Sequence, residues 1–184
     1  TKSKGKRILV FKDSFEYAES LSELGILALH LEQYTDSESL LRDAFNLKES
    51  ILGTDNPSIA IALNNLASVC LKLNNYEEAE QAFLKSLNLR TRLYGEEHPK
   101  VARAYLNLGV CYRDQEKYEQ AEAAISKAQQ INKRLLGDTH IESVTCLYMV
   151  AGLYWRQNHL AESKALFLQA LELAPDAFGP NNSR

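Results

Sequence analysis

The sequence has little proline, little glycine and no long apolar segment. Only four prolines and eight glycines occur among its 184 residues, and most of them separate segments with helical periodicity. The longest apolar runs, such as Ile59–Leu63, are far shorter than the roughly 20 residues that a membrane-spanning helix needs. No signal peptide is visible in the sequence. We therefore expect no membrane insertion.

The chain also lacks an excess of positive charge and has only three cysteines. The net charge is −3, whereas proteins that bind nucleic acid usually carry a basic excess, so we expect no nucleic-acid partner. Cys70, Cys111 and Cys146 are an odd number without CxxC spacing, and two of them fall on predicted helix faces. We expect buried thiols in the reducing cytoplasm; the alternative is a metal or disulfide role.

A 42-residue period is the strongest pattern in the chain. Glycines recur at Gly53, Gly95, Gly137 and Gly179, and the segment 63–102 returns in similar form at 105–144. A fixed period of this size indicates a solenoid, in which each unit buries its apolar face against its neighbours. Such arrays make extended surfaces, so the pattern favours binding over catalysis.

Each period reads as a helix, a turn and a second helix. In the second period Leu63, Leu66, Ala67 and Cys70 have the i, i+3, i+4, i+7 spacing of one helix face. The equivalent faces are Leu21, Leu24, Gly25 and Ala28; Tyr105, Leu108, Gly109 and Tyr112; and Leu147, Val150, Ala151 and Tyr154. The predicted units are residues 18–59, 60–101, 102–143 and 144–184.

Short signals mark the ends of these helices. Asn74-Asn75 predicts the turn inside the second unit, and Gly95 is placed to end its second helix in a left-handed conformation. His98-Pro99 predicts the start of the next helix, because the fixed φ of proline suits a first turn. Small residues recur where the two helices of a unit must approach closely, at Ser37, Ala79, Ala121 and Ser163.

These helix faces resemble those of the tetratricopeptide repeat. Other features of that repeat are the tyrosine at the turn, here Tyr76, and the Ala–x3–Phe pair of the second helix, here Ala79 and Phe83. The 42-residue variant, with motifs such as Leu63–Ala67 and Gly95–Ala102, is similar to the repeats of kinesin light chains and nephrocystin-3-like proteins. The resemblance implies an all-α, right-handed superhelical solenoid of four helix–turn–helix repeats in one domain, 14–184. The end repeats depart from the pattern, since Ser22-Glu23 and Tyr148-Met149 replace Asn-Asn.

Both ends of the chain carry their own hypotheses. Within residues 1–13, Lys6–Phe11 aligns with the end of a second helix, which suggests the tail of an upstream repeat; a basic targeting segment is the alternative. The second helix of repeat 4 offers more apolar side chains than one inner face can hide. They suggest self-association or a missing downstream repeat, and they are Leu166, Phe167, Leu168, Leu171 and Leu173.

The resemblance also implies a ligand-binding groove, lined by the first helix of each repeat. Asn65 and Asn107 would hold the backbone of an extended peptide; the alternative is that they tie neighbouring helices together. The predicted groove residues are Asn64, Asn65, Ser68, Lys72, Arg103, Leu106, Asn107, Val110, Arg113, Asp114, Tyr148, Met149 and Trp155.

The chemistry of these groove residues predicts the kind of ligand. Lys72, Arg103 and Arg113 would attract acidic side chains, unless Asp114 pairs with an arginine in a solvated mixed face. Tyr148, Met149 and Trp155 would form a pocket for an apolar anchor; packing between repeats is the alternative. We expect the groove of repeats 2 and 3 to bind an acidic peptide.

The sequence contains none of the common catalytic motifs that we sought, namely HExxH, GxSxG, a P-loop and GxGxxG. His98 and His140 lie one period apart, as consensus loop residues would. We predict no enzyme activity, catalytic residue, metal or cofactor. The predicted function is a scaffold or adaptor that binds a short peptide motif, as in kinesin-light-chain-like cargo recognition. The alternative is a structural array that oligomerises through its ends or convex face.

Overall fold

The computed structural model describes residues 14–178, which form eight helices joined by short turns. The helices come in four pairs, each a 16-residue helix followed by a 19-residue helix. They are α1 (Phe15–His30), α2 (Tyr34–Leu52), α3 (Pro57–Lys72), α4 (Tyr76–Tyr94), α5 (Pro99–Asp114), α6 (Tyr118–Leu136), α7 (Ile141–Arg156) and α8 (Leu160–Phe178). The predicted all-α fold with four helix–turn–helix repeats is confirmed.

The pairs begin 42 residues apart, at Phe15, Pro57, Pro99 and Ile141. Each helix pair starts three residues before the predicted unit boundary. The predicted boundaries were placed by the apolar helix face, which does not include the first turn of the helix. Every described helix is too short or too polar to cross a bilayer. The predicted segment 1–13 and the loop at Gly179 lie outside the described residues.

Side-chain caps begin the first helix of each pair. The Asn56 carboxamide accepts a hydrogen bond from the Ser58 N–H at 2.9 Å, and Nδ1 of His98 accepts one from the Lys100 N–H at 3.0 Å. Nδ1 of His140 accepts from the Glu142 N–H at 3.2 Å. These caps satisfy N–H groups that have no partner within the helix. The two histidines therefore have a structural role at equivalent loop positions.

The turns place residues at positive φ at regular intervals. Gly95 has φ +81° after α4, which confirms that glycine ends the second helix there. Between the helices of each pair the corresponding residue is not glycine: Glu32, Asn74 and Glu116 have φ +60° and Asn158 has φ +63°. Only glycine, and to a lesser degree asparagine, enters this region at low cost. The two glutamates are therefore the more strained turn residues.

The chain divides into two compact units, residues 1–93 and 94–184. In the first unit Gly25 of α1 lies directly against α2. A β-carbon at Gly25 would stand 2.7 Å from Cγ of Leu41, and Oγ of Ser37 donates to the Gly25 carbonyl at 2.7 Å. Glycine therefore permits this approach without displacing Leu41, which agrees with the predicted close contact at Ser37.

A buried charge lies in the same unit. The Lys48 side chain is 3 % exposed, and its Nζ donates to Oγ of Ser22 at 2.8 Å and pairs with Glu19 at 3.0 Å. A buried charge is tolerated only when it is paired and hydrogen-bonded. Lys48 therefore depends on both partners, and its loss would leave the Glu19 carboxylate without this ion pair.

The second unit repeats the glycine contact. A β-carbon at Gly109 of α5 would stand 2.7 Å from Cγ1 of Ile125 on α6. In the next pair Oγ of Ser163 donates to the Ala151 carbonyl at 2.9 Å. The same close approach thus recurs in both units, and overpacking it is expected to be costly.

The predicted helix faces are buried in the second repeat, where Leu63, Leu66, Ala67 and Cys70 all lie in the interior. One prediction is wrong: Leu24, the counterpart of Leu66, is 52 % exposed. The reason is positional, because Leu66 lies on α3, which packs against α2, whereas no helix of the described chain precedes α1.

The three cysteines are free and buried, as predicted. Burial raises the pKa of the Cys70 thiol to about 11, with a contribution from the nearby Glu78 carboxylate. Burial likewise raises the pKa of the Cys146 thiol to about 11, although a hydrogen bond from Asn132 opposes the shift. Both thiols therefore stay protonated at neutral pH, and protonated thiols are poor nucleophiles.

Candidate protein-binding surfaces

In the first unit the predicted binding residues lie on α3. Asn64, Asn65 and Ser68 are half-buried, and Lys72 in the last turn is exposed. Oγ of Ser68 donates to the Asn64 carbonyl at 2.9 Å, so this hydroxyl is already engaged within its own helix. The α3 surface thus carries two carboxamides and a cation, groups of the kind that bind polar ligands.

In the second unit the α5 residues differ in accessibility. Arg103 is exposed and lies 3.9 Å from Glu142, a separation that gives only a weak ion pair. Asn107 and Val110 are half-buried. Leu106 is only 6 % exposed, so it packs in the interior and is not presented to a ligand as its predicted role requires.

The cation at Arg113 is already paired. Its Nε and Nη2 atoms both lie 2.8 Å from Oδ1 of the neighbouring Asp114. This is the pairing anticipated as the alternative to ligand attraction. Because Asp114 offsets its charge, Arg113 would attract an acidic ligand less strongly than Arg103.

The aromatic residues of α7 are exposed. Tyr148 is 62 % and Trp155 is 66 % exposed, whereas Met149 is half-buried. The Tyr148 ring packs edge-on against Phe167 of α8, with ring centroids 5.2 Å apart. A cleft of about 490 Å³ opens beside this pair, and its lining includes Leu171. Tyr148 therefore contributes to an apolar cleft with α8, while Met149 and Trp155 are not among the residues that line it.

The α8 helix carries the apolar residues predicted for repeat 4. Leu168 is 50 % and Leu171 is 68 % exposed, and Leu166, Phe167 and Leu173 are half-buried. Leu166 and Leu173 pack against a small core that includes Leu147, so part of this set is accounted for within the unit. Of the two exposed leucines, Leu171 lines the cleft beside Tyr148.

Sequence reasoning missed two acidic sites. In the first unit Nη2 of Arg42 lies 2.7 Å from Glu38 and 2.8 Å from Glu78. Hydrogen bonds to these carboxylates raise the pKa of the guanidinium, and the bond to Glu38 has the largest effect. In the second unit the Tyr154 hydroxyl donates to Oε1 of Glu122 at 2.6 Å, a bond that raises the pKa of the phenol. An alignment of the repeats two periods apart would have matched the two sites.

The first of these sites has some of the donors that metal ions use. Ligand atoms of Glu38, Cys70 and Glu78 all lie within 4.8 Å of one another. The Arg42 guanidinium already bridges the two carboxylates, and the high pKa of the Cys70 thiol disfavours the thiolate that a metal needs. An ion pair accounts for this cluster.

Comparison with known proteins identifies the family. The tetratricopeptide repeat profile matches residues 16–92, 59–128 and 101–176. A search of curated protein sequences gives no match.

Similar solved structures share the fold at low sequence identity. BtubC (BKLC) from P. vanneervenii superposes with a TM-score of 0.77 at 22 % identity, over 91 % of this chain and 67 % of that one. A P. anserina protein, described as a putative kinesin light chain with nearly identical TPR-like repeats, gives 0.79 at 15 % identity, over 92 % and 83 %.

A third neighbour is a Rap protein complexed with competence and sporulation factor. It gives a TM-score of 0.73 at 17 % identity, over 88 % of this chain and 44 % of that one, so this chain spans less than half of the Rap protein. The shared repeat is in general a non-catalytic scaffold for protein interactions. The chain belongs to the tetratricopeptide repeat family.

Proposed function

We propose that the chain is an adaptor whose first helices bind short extended peptides of a partner protein. The observation that carries this proposal is the exposure of Trp155 on α7, at 66 %. Tyr148 of the same helix is 62 % exposed, whereas its counterpart one period earlier, Leu106, is buried. Large aromatic side chains bury much apolar area on binding and dominate the energetics of interfaces. Exposed aromatics on a first helix therefore favour a binding surface.

In the second unit the candidate surface combines these aromatics with polar groups of α5. Arg103 is exposed and would attract carboxylates, and the Asn107 carboxamide has the donors and the acceptor that a peptide backbone requires. The preferred ligand is an extended peptide with acidic residues and an apolar anchor. In the first unit the corresponding candidates are Asn64, Asn65, Ser68 and Lys72 of α3.

A structural neighbour supports this kind of partner, because the Rap protein of similar fold is complexed with competence and sporulation factor. The mode of binding that we propose for this chain is kinesin-light-chain-like cargo recognition. A cytoplasmic location belongs to the same proposal and is supported by three free, buried cysteines.

The test is a titration with a short fluorescein-labelled peptide that carries glutamates around a leucine. We expect Trp155→Ala to weaken binding about tenfold or more, in the range of interface anchors, and Asn107→Ala to weaken it roughly fivefold or more. Arg103→Glu should weaken binding at low salt and have less effect at high salt, because exposed charges are screened.

The controls separate binding at this surface from general attraction. Leu135→Ala changes an exposed apolar residue of α6 and should leave the affinity unchanged. A peptide with glutamines in place of the glutamates should bind less tightly at low salt. Equal affinity of the wild type, Trp155→Ala and Asn107→Ala for the acidic peptide contradicts the proposal.

Self-association through α8 is the second candidate function. Leu168 and Leu171 are exposed, and Leu171 lines the same cleft as Tyr148. Contiguous apolar surface often marks an interface. Light scattering should show a mass above that of one chain at high concentration. Leu171→Glu should restore the monomer, whereas Leu135→Glu should not; a wild type that stays monomeric contradicts this candidate.

A further inference from the structure

The two acidic sites occupy equivalent positions in the repeat. In the first unit Glu38 of α2, Cys70 of α3 and Glu78 of α4 surround the guanidinium of Arg42. Arg42 lies one helical turn after Glu38, so its side chain reaches both carboxylates at 2.7 and 2.8 Å. The first unit therefore holds its acidic pair with a guanidinium from its own chain.

Two periods later the same positions hold a different set of residues. Glu122 of α6 and Glu162 of α8 keep the two carboxylates, and Tyr154 of α7 replaces the cysteine. Ser126 stands where the first unit has arginine. The second unit thus keeps the acidic pair and replaces its guanidinium with a small hydroxyl.

The exchange of arginine for serine coincides with an open space. A cleft of about 430 Å³ lies at this position, and its lining includes Glu122, Ser126, Tyr154 and Glu162. These four residues define what we call the acidic cleft. The Tyr154 hydroxyl donates to Glu122, and this hydrogen bond raises the pKa of the phenol. Charge repulsion from Glu122 and Glu162 contributes to the same shift, so both carboxylates lie near the Tyr154 hydroxyl.

Apart from Gln129, the remaining wall of the acidic cleft is apolar. Leu147 and Val150 of α7 are buried at its base, and the half-buried Leu166 of α8 lies beside them. A long cationic side chain can bury its methylene stem on such a surface while its charged head stays near carboxylates. The cleft thus combines carboxylates with an apolar floor, as an arginine side chain requires.

We propose that the acidic cleft binds an arginine side chain of a partner protein, placed as Arg42 is placed in the first unit. The guanidinium would bridge Glu122 and Glu162, and its stem would lie on Leu147 and Val150. Arginine fits better than lysine, because a planar guanidinium donates to two carboxylates at once. This surface is separate from the α5 and α7 residues proposed above to bind an acidic peptide.

The test uses an acetylated and amidated Leu-Arg-Leu peptide and isotope-labelled protein, observed by NMR. We expect saturable shifts of the amide signals of Glu122, Tyr154 and Glu162, together with a lower pKa for the Tyr154 phenol in the presence of the peptide. The isosteric citrulline peptide, which lacks the charge, should bind about tenfold more weakly, which corresponds to about 1.4 kcal/mol.

Three variants decide the outcome. Ser126→Arg supplies the missing guanidinium and should abolish peptide binding, whereas Ser126→Gln, similar in length but neutral, should retain most of it. Glu122→Gln should remove the preference for arginine over citrulline. The proposal is overturned if arginine and citrulline peptides bind equally, if Ser126→Arg binds like the wild type, or if the shifts map away from the cleft.

Discussion

The same glycine contact occurs within each of the two units, but the units differ in their charge balance. Gly25 against Leu41 in the first unit and Gly109 against Ile125 in the second give the same 2.7 Å approach for a β-carbon placed on the glycine. The acidic pair is equally repeated, but only the first unit places an arginine, Arg42, between its carboxylates. The close approach of the two helices is thus the same in both units, whereas the charge beside the acidic pair differs.

This difference teaches how a repeat separates its structural residues from its functional ones. A bulky side chain at Gly109 would push two helices apart, and the four repeats hold only glycine or alanine at this position. A change from arginine to serine at the Arg42 position leaves the helices in place and opens a cleft between side chains. Interiors tolerate little variation in volume, whereas surface charges change at small cost.

The largest expected effect comes from filling the glycine contact. Gly109→Leu should lower the free energy of unfolding by about 3 kcal/mol, at the upper end for overpacking, because the new side chain meets Ile125. Gly25→Leu should lower the free energy of unfolding by a similar amount, because the equivalent contact occurs within the first unit. Urea denaturation of both variants measures the two losses.

Gly152 provides the matched control for these variants. It lies in α7, and nothing stands within 4 Å of a β-carbon built on it. Gly152→Ala should therefore stabilise the protein by roughly 0.5–1 kcal/mol, the usual gain for this change within a helix. A Gly109→Leu protein as stable as the wild type would show that the two helices do not need this close approach.

The next effect is a loss of stability in alkaline solution. The folded protein holds the Cys70 proton up to a pKa of about 11, whereas the unfolded thiol loses it near 9.0. The unfolded state therefore binds fewer protons between pH 9 and 11, and stability falls as the pH rises. The loss amounts to about 2 kcal/mol at pH 11 for a two-unit difference.

Alanine variants isolate this contribution from other groups that titrate in the same range. Cys70→Ala in the first unit and Cys146→Ala in the second should each make the decline of unfolding free energy with pH shallower than in the wild type. The two variants should behave alike, since both thiols have a pKa of about 11. An unchanged slope in both would show that the thiols are not protected by burial.

A smaller effect tests the charge difference directly. Arg42→Met should lower stability by about 1 kcal/mol or less, because the ion pairs are partly exposed and screened by salt. Ser126→Arg should raise stability by a similar amount if its guanidinium pairs with Glu122. Thermal unfolding at low and high salt measures both, and a loss that salt does not reduce contradicts an electrostatic cause.

The smallest effect concerns the turns. Glu116 of the second unit has φ +60°, as Asn74 of the first unit has. Asparagine is more common than glutamate in this region. Glu116→Asn should therefore stabilise the protein by about 0.5 kcal/mol, and Glu32→Asn should do the same. Destabilisation by both changes, measured in urea, would show that the glutamate side chains make contacts worth more than the strain.

Periodicity is the part of this fold that the sequence predicts well. The stripe of Leu63, Leu66, Ala67 and Cys70 depends on local spacing, and its burial followed as expected. The exposed Leu24 shows the limit, because the pattern does not tell whether another helix covers that face. Periodicity identifies the face of a helix, and packing decides whether the face is covered.

The candidate sites were less predictable because they combine residues from several helices. Leu106 has the spacing of a surface residue but is buried, and Arg113 is paired with the next residue in the chain. Glu78 belongs to a repeat motif, so its contact with Arg42 could be read only from the structure. Side-chain pairing depends on rotamers, which sequence spacing does not fix.

Each of the helices α3, α5 and α7 carries one buried thiol, so the chain contains built-in reporters of local opening. A thiol reagent reaches Cys70, Cys111 or Cys146 only when the surrounding helix pair opens. In repeat arrays each pair depends on its neighbours, and the pairs open with different free energies. The rates of labelling at the three cysteines would therefore measure, for repeats 2 to 4 and without any engineered probe, how cooperativity is distributed along the array.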